Sequence, residues 1–307
     1  KTIRAAAAAS PRDRSKTIRA AAAASPRPPL LHRAAAATLR APRRAVALFF
    51  LGYAVHQRKR DPPEVVAYDQ GSPYWAISPL MNNEYKNESE QVVSGTALWL
   101  ICVFVPLAIF LLLSAVDAVP AATALRCQGF LYAFGATSLV TECVKRYCGY
   151  WRPYFYDECD FSSTTGKCEG DDYESAYRSF PSGHSSMSMF SLLYASWCLL
   201  GAARLGRPLR VGGVDVGGPA VMACLAPFGL AVFIAASRVV DNDHWPADVV
   251  TGAVIGGGFA MLFYHRYFPF VFEDASHLPR AGFVSKSSLP PAGSEGELEA
   301  VRSGGAT

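Results

Sequence analysis

QVVSGTALWLICVFVPLAIFLLLSAV, residues 91–116, runs for 26 consecutive positions without a charged side chain. A bilayer core about 30 Å thick takes about 20 largely apolar residues in helical form, because nothing inside it can hydrogen-bond an open backbone. The stretch therefore reads as a membrane-crossing helix. Working outward, four more runs have the same character: Ala121 to Cys143, Ser185 to Ala203, Val216 to Ser237, and Val249 to Tyr264 extended to Phe268. Only Arg126 and Glu142 interrupt the first of these, near its ends, where long side chains reach back to water. The expected fold is an all-α, polytopic membrane helical bundle with five clear spans. A weaker sixth precedes them at Ala45–Val55 (AVALFFLGYAV), with Arg40, Arg43 and Arg44 on one side and Arg58, Lys59 and Arg60 on the other. Its 11 residues read equally as a crossing, a re-entrant or interfacial piece, or a signal-like apolar region, so the crossings number five or six.

The composition of the whole chain agrees with this reading. Of 307 residues 51% are apolar, and mean hydropathy is +0.16. The net charge of +4 conceals a partition: residues 1–60 hold fourteen Lys or Arg against Asp13 alone, and the remainder holds 15 bases against 24 acids. Such a chain is no disulfide scaffold, coiled coil or collagen. Its basic excess is too localised and too poor in aromatics for a nucleic-acid domain. KTIRAAAAASPR at 1–12 recurs at 16–27. That makes 1–44 a low-complexity Ala/Arg-rich segment, disordered or foreign to the gene, with an organellar transit peptide as the alternative. The helical domain is expected over 45–272, and the Ser-, Gly- and Pro-rich stretch 273–307 as a disordered cytoplasmic tail.

Lys and Arg are retained on the cytoplasmic side of short connectors. Arg204, Arg207 and Arg210 against Asp215 place the linker between the third and fourth runs inside. The loop from Arg146 to Gly183, with four bases and seven acids, then faces the lumen or exterior. Asn87-Glu88-Ser89 falls on that face and is a glycosylation sequon. Cys159 and Cys168 share the loop, where oxidation is possible, and are the candidate disulfide. Routing to the ER or plasma membrane is favoured over a plastid.

Charged residues beside a bilayer are costly unless they are used. Alternating crossings gather Lys145, His184, Ser237, Arg238, His244 and Asp248 at span ends on one side of the membrane. With Arg152, that set holds three cations, two histidines and a carboxylate, which is what phosphoryl transfer without a metal requires. Arg forks grip phosphate oxygens and Lys supplies a point charge. Pro181-Ser182-Gly183-His184 opens a helix: Ser182 suits the N-cap, and Gly183 lets the backbone approach an anion at the positive helix end. His244 and Asp248, spaced i, i+4, set a carboxylate against an imidazole. Each residue alone has a structural reading, Lys145 as an interface lysine or His184 as a capped histidine; together they read as a site. His32, His56, His265 and His277 lack such partners and read as structural, Gly252 and Gly256 as helix packing, Arg146 and Trp151 as interface residues, and the acidic insert Asp157–Glu174 as a solvated loop.

The set Lys145-x6-Arg152-Pro153, Pro181-Ser182-Gly183-His184 and Ser237-Arg238-x5-His244-x3-Asp248 resembles the three-part signature of the type 2 phosphatidic acid phosphatase (PAP2) and vanadium haloperoxidase superfamily. Among its members the chain looks most like the membrane lipid phosphate phosphatases, over about residues 65–270. The resemblance implies six transmembrane helices, a lumenal or extracellular site, and no metal or other cofactor, with inhibition by vanadate. It implies His244 as nucleophile, Asp248 orienting it, and His184 as acid and then base. Lys145, Arg152, Arg238, Ser182 and the Gly183 amide would hold the phosphoryl oxygens. The partners it implies are a lipid phosphate substrate and membrane lipids, with a homo-oligomer allowed and no nucleic acid. A lipid phosphotransferase and a catalytically silent lipid-binding member are the alternatives. One histidine has to be neutral while the other is cationic. Asp248 raises the pKa of His244, so neutrality there depends on burial and on the three cations nearby.

Overall fold

The computed structural model describes residues 44–57, 78–116, 119, 121–171, 173–204, 208–280 and 282–284. The Ala/Arg-rich segment up to residue 43, with His32, lies outside these residues, as does the tail from 285 onward. The described chain is mainly helical: α1 (Arg44–His56), α2 (Gly95–Val116), α3 (Ala121–Cys148), α4 (Gly183–Ala202), α5 (Gly217–Cys224), α6 (Ala226–Val240) and α7 (Pro246–Tyr267). Strand is confined to two short hairpins, β1 (Phe161–Ser162) with β2 (Lys167–Cys168), and β3 (Arg210–Val211) with β4 (Val214–Asp215).

α2 and α7 are long and apolar enough to cross a membrane, and α5 with α6 makes a third candidate if the pair, bent by 41°, is one span. The expected count was five or six. The difference has a physical cause in α4, the hub that packs on α2, α3, α6 and α7. Its residues are mostly buried, including Ser185, Ser186, Ser188, Ser191 and Ser196. A helix screened from lipid by its neighbours can carry hydroxyls, provided each finds a partner. Ser191 Oγ donates to Cys102 O at 2.6 Å, Thr141 Oγ1 to Ser186 Oγ at 3.0 Å, and Ser196 Oγ accepts from Phe228 N at 3.1 Å. α3 is diluted in the same way by Arg126, Glu142, Lys145 and Arg146. The bend between α5 and α6 falls beside Pro227 in the first turn of α6, where proline has no N–H to give and its ring crowds the preceding turn.

Helix α1 spans 13 residues, a rise of about 20 Å. It lies against α3, where a Cβ at Gly135 would meet Ala45 O and Leu48 Cβ, and one at Gly52 the backbone of Leu139. His56, read from sequence as lacking a partner, pairs through Nδ1 with Glu142 Oε2 at 2.9 Å.

The described start of the tail expected to be free, residues 273–280 and 282–284, packs instead. Ala275, Ser276, His277 and Leu278 are buried. Ser276 Oγ donates to Gly201 O at 3.0 Å and Arg280 N to Tyr267 O at 2.8 Å, and the Phe283 ring meets Tyr267 edge-on. Scattered apolar residues in a polar run are enough to dock it beneath α4 and α7.

The tightest helix contact is α4 on α7. A Cβ at Gly256 would collide with Ser186 O and Phe190 N, and one at Gly252 with Ser182 O. These neighbours are backbone and cannot swing aside. Gly256→Val is therefore expected to push α4 and α7 apart and to destabilise the protein by at least the 1–3 kcal/mol typical of overpacking. Gly258→Val, where no atom lies within 4 Å, is the control. Thermal unfolding of both variants in detergent checks the contrast.

Candidate active site

The ends of α3, α4, α6 and α7 converge, and backbone hydrogen bonds lock the segments between them. Ser182 N donates to Asp248 O at 3.0 Å, tying the start of α4 to the start of α7, and Arg152 N donates to Ala176 O at 2.7 Å. Asp243 N and His244 N both donate to Arg238 O, at 3.0 and 3.2 Å, so the turn after α6 folds back over its own last turn. A cavity of about 700 Å³ opens here, with Lys145, Arg152, Gly183, His184, Asp243 and His244 in its lining. Phe49, Gly52 and Tyr53 of α1, with Leu98, Trp99 and Met187, add apolar surface to the same lining.

Lys145 sits in the last turn of α3, and a Cβ at Gly183 would lie 3.2 Å from its Nζ. The missing side chain thus gives the ammonium its place at the positive end of α4. Ser182 is the N-cap of α4, as its type suggests: its side chain accepts from Ser185 N and from Ser185 Oγ. Being fully buried and occupied with the cap, it does not line the cavity.

Arg152 Nη1 donates to Tyr154 Oη at 2.7 Å and to Asp243 Oδ1 at 3.0 Å, while its buried Nε has no partner among the described residues. Arg238 differs. All its nitrogens are engaged, Nη1 with Gln91 Oε1 (3.1 Å) and Asp243 Oδ2 (2.7 Å), Nη2 with Val93 O (2.8 Å), Ser237 Oγ (2.9 Å) and Asp241 Oδ2 (2.9 Å), and Nε with Ser237 Oγ (3.1 Å). It is fully buried behind Asp243 and does not line the cavity.

His244 is not on a helix with Asp248, as the spacing suggested. It occupies the turn before α7, with Trp245 as N-cap and Asp248 in the first turn. The two still meet, His244 Nδ1 lying 3.6 Å from Asp248 Oδ2. Ser179, which the sequence reading passed over, stands between them. Its hydroxyl donates to Asp248 Oδ2 and lies 3.4 Å from His244 Nδ1. With its one proton given to Asp248, Ser179 Oγ is left to accept from Nδ1–H, and the imidazole lone pair falls on Nε2. Burial, then Arg152, Lys145, His184 and Arg238, hold the pKa of His244 well below the ordinary histidine value. The balance that the sequence left open is thus decided towards the neutral ring. The His184 ring bonds to the backbone of Ser94, and its buried Nε2 has no partner among the described residues; burial, then Arg238, Lys145 and Arg152, push its pKa down to about 3, so both rings are driven towards the neutral form instead of the one neutral and one cationic ring that the sequence suggests.

A proton bound to His244 is expected only below pH 6.5, the ordinary histidine value. NMR titration of labelled histidines, assigned with His244→Asn, should give a midpoint below that value. The linkage sign follows: the unfolded chain takes up the proton first, so wild type should lose stability relative to His244→Asn as pH falls below 6.5. A midpoint above 6.5 contradicts the burial argument.

Cys159 and Cys168 are disulfide-bonded and close the β1–β2 hairpin. The acidic insert that carries them is braced rather than merely solvated: Asp157 Oδ2 accepts from Tyr85 N at 2.7 Å, and Glu174 pairs with Arg146 at 2.7 Å and with Arg178. Asn87 is exposed on the loop before α2, the loop that brings Gln91 and Val93 to Arg238. Besides Ser179, the residues missed in the sequence are Asp243, Asp241 and Tyr154. Their only signal was adjacency to the motifs, at positions where the pattern is permissive.

Residues 128–271 match the family model of the PAP2 superfamily, and this interval contains all three motifs, as their resemblance led one to expect. Among relatives, the chain is 29% identical over 209 residues to probable lipid phosphate phosphatase 4 of Arabidopsis thaliana, covering 63% of this chain and 64% of that one. It is 31% identical over 155 residues to diacylglycerol pyrophosphate phosphatase 1 of Saccharomyces cerevisiae, covering 46% and 51%. With phospholipid phosphatase-related protein type 4 of Rattus norvegicus it shares 25% identity over 146 residues, covering 41% and 17%. The matched stretches span about half to two thirds of the length of the first relatives. No solved structure gives a significant match.

Proposed function

From a chain whose residues 128–271 match the PAP2 superfamily, we propose an integral, multi-pass membrane lipid phosphate phosphatase. It hydrolyses phosphatidate-like phosphomonoesters to a lipid alcohol and phosphate, without a metal, through a phosphohistidine on His244. The observation that carries this reading is the cavity, whose lining joins Lys145, Arg152, His184 and His244 with the apolar Phe49, Leu98, Trp99 and Met187. A charged head and a hydrocarbon chain on one substrate find complementary surfaces there. The relatives' names, lipid phosphate phosphatase among them, point the same way.

In the proposed reaction the phosphate dianion offsets the surrounding cations so that His184 takes up a proton from solvent; Nε2 of neutral His244 then attacks phosphorus, the P–N bond forms as the P–O bond to the lipid breaks, and His184 gives that proton to the departing alkoxide. His184 then takes a proton from water as the oxygen attacks phosphorus, releasing phosphate and restoring both rings. Lys145 and Arg152 neutralise the phosphoryl oxygens, with the Gly183 amide at the positive end of α4. Arg238 adds its charge from behind. Asp248 and Ser179 hold the imidazole so that Nε2 faces the cavity. α1 through α7 supply the membrane body, with the site on the lumenal or extracellular side.

The test is phosphate release from phosphatidate in detergent micelles containing EDTA, with and without vanadate. Release that persists in EDTA and stops with vanadate supports the reading. No release by a folded sample from phosphatidate, lysophosphatidate, diacylglycerol pyrophosphate or sphingoid phosphates overturns it, and phosphate recovered in a new phospholipid instead makes the protein a transferase.

A further inference from the structure

We propose that Asp243 is a positioning residue for phosphoryl transfer, acting through Arg152, and that Arg238 serves as its anchor. The inference rests on the hydrolase reading above and adds a residue to it. A carboxylate beside a phosphate cradle is unexpected, since it repels the anion the cradle is built to hold. Asp243 is nearly buried, and its two oxygens are divided between the two arginines: Oδ1 accepts from Arg152 Nη1 at 3.0 Å and Oδ2 from Arg238 Nη1 at 2.7 Å.

The two arginines are not equivalent. Arg238 has every nitrogen bonded to protein and no surface on the cavity. Arg152 lines the cavity and keeps an unpartnered, buried Nε. The order of dependence therefore runs from Arg238 to Asp243 to Arg152. Arg238 is fixed by Gln91, Val93, Ser237 and Asp241, and Asp241 is itself held by Val92 N at 2.9 Å and Lys86 Nζ at 3.2 Å. Asp243 passes that rigidity to one end of the Arg152 fork, and the same Nη1 also donates to Tyr154 Oη. The side chain so held lines the cavity, where its charge faces a phosphate. The same anchor sets the turn that carries His244, because Arg238 O accepts from both Asp243 N and His244 N.

The experiment is a double-mutant cycle with Asp243→Asn and Arg152→Gln, read as kcat and KM for phosphatidate and as inhibition by vanadate. Asn keeps the shape but can no longer accept from both guanidiniums. On the wild-type background Asp243→Asn is expected to lower kcat/KM about 10- to 100-fold, the loss a misplacement of about 1 Å produces, with most of it in kcat. On the Arg152→Gln background the same change should cost no more than about twofold, because the group it positions is gone. Asp243→Glu keeps the charge but moves it, and should show the same loss on wild type alone. If it does not, the inference fails even where Asp243→Asn does not fold.

Equal losses on both backgrounds make Asp243 independent of Arg152 and overturn the proposal. So does unchanged kcat with tighter vanadate inhibition, which would make Asp243 a competing anion. Wild-type activity in the same assay keeps either failure distinct from failure of the hydrolase reading.

Discussion

His244→Ala should abolish phosphate release from phosphatidate, a loss on the order of 10⁴ to 10⁶ in kcat, the scale on which removing a nucleophile that works as part of a unit is felt. The ring is buried at the head of α7, and its backbone N–H is held by Arg238 O independently of the side chain. The variant should therefore fold and still bind phosphate or vanadate through Lys145 and Arg152. Retained binding with lost turnover distinguishes a missing nucleophile from a collapsed site. Residual turnover within about 100-fold of wild type would mean that water attacks phosphorus directly, which removes the covalent intermediate from the mechanism.

His184→Ala should have the second largest effect, about 10²- to 10⁴-fold for a lipid alkoxide, the range for general acid–base catalysis. Its signature is dependence on the leaving group. p-Nitrophenolate departs without a proton, so P–O cleavage from p-nitrophenyl phosphate should be nearly normal in the first turnover. Water attack on the phosphohistidine, which needs His184 as base, should remain slow. A burst of nitrophenol followed by a slow steady state, with phosphate retained on the protein, is the expected result. A uniform slowing with no burst would place His184 among the groups that bind phosphate.

The run at 91–116 was legible as a helix of membrane-crossing length because apolar length and the absence of charge are local properties, and α2 occupies Gly95–Val116 of it. The third run was legible as a helix, but its setting was not. Nothing local in Ser185 to Ala203 says that four neighbours surround it, and only that enclosure lets it carry so many serines. The tail misled for a related reason: Ala275 and Leu278 gain burial only from α4 and α7, which are distant in sequence.

At the site, the sequence by itself determined the residue types and the side of the bundle on which they meet. A chain that alternates direction has to bring the C-terminal end of one helix to the N-terminal end of the next, and the spacing of the three motifs registers with that alternation. It also determined the cap at Ser182 and the packing role of Gly252 and Gly256, which need only local geometry or the absence of a side chain. The tertiary structure decided which cation faces the cavity and which stands behind it. Arg152 and Arg238 look alike in sequence, yet one lines the cavity with its buried Nε unpartnered and the other has every nitrogen bonded, in part through Gln91 and Val93 from a loop nearly 150 residues earlier. It decided too the direction in which His244 shifts, since burial and the surrounding cations hold its pKa well below the ordinary histidine value. Desolvation and hydrogen-bond saturation are sums over everything that surrounds a group in space, and a linear sequence contains the contributors without their distances.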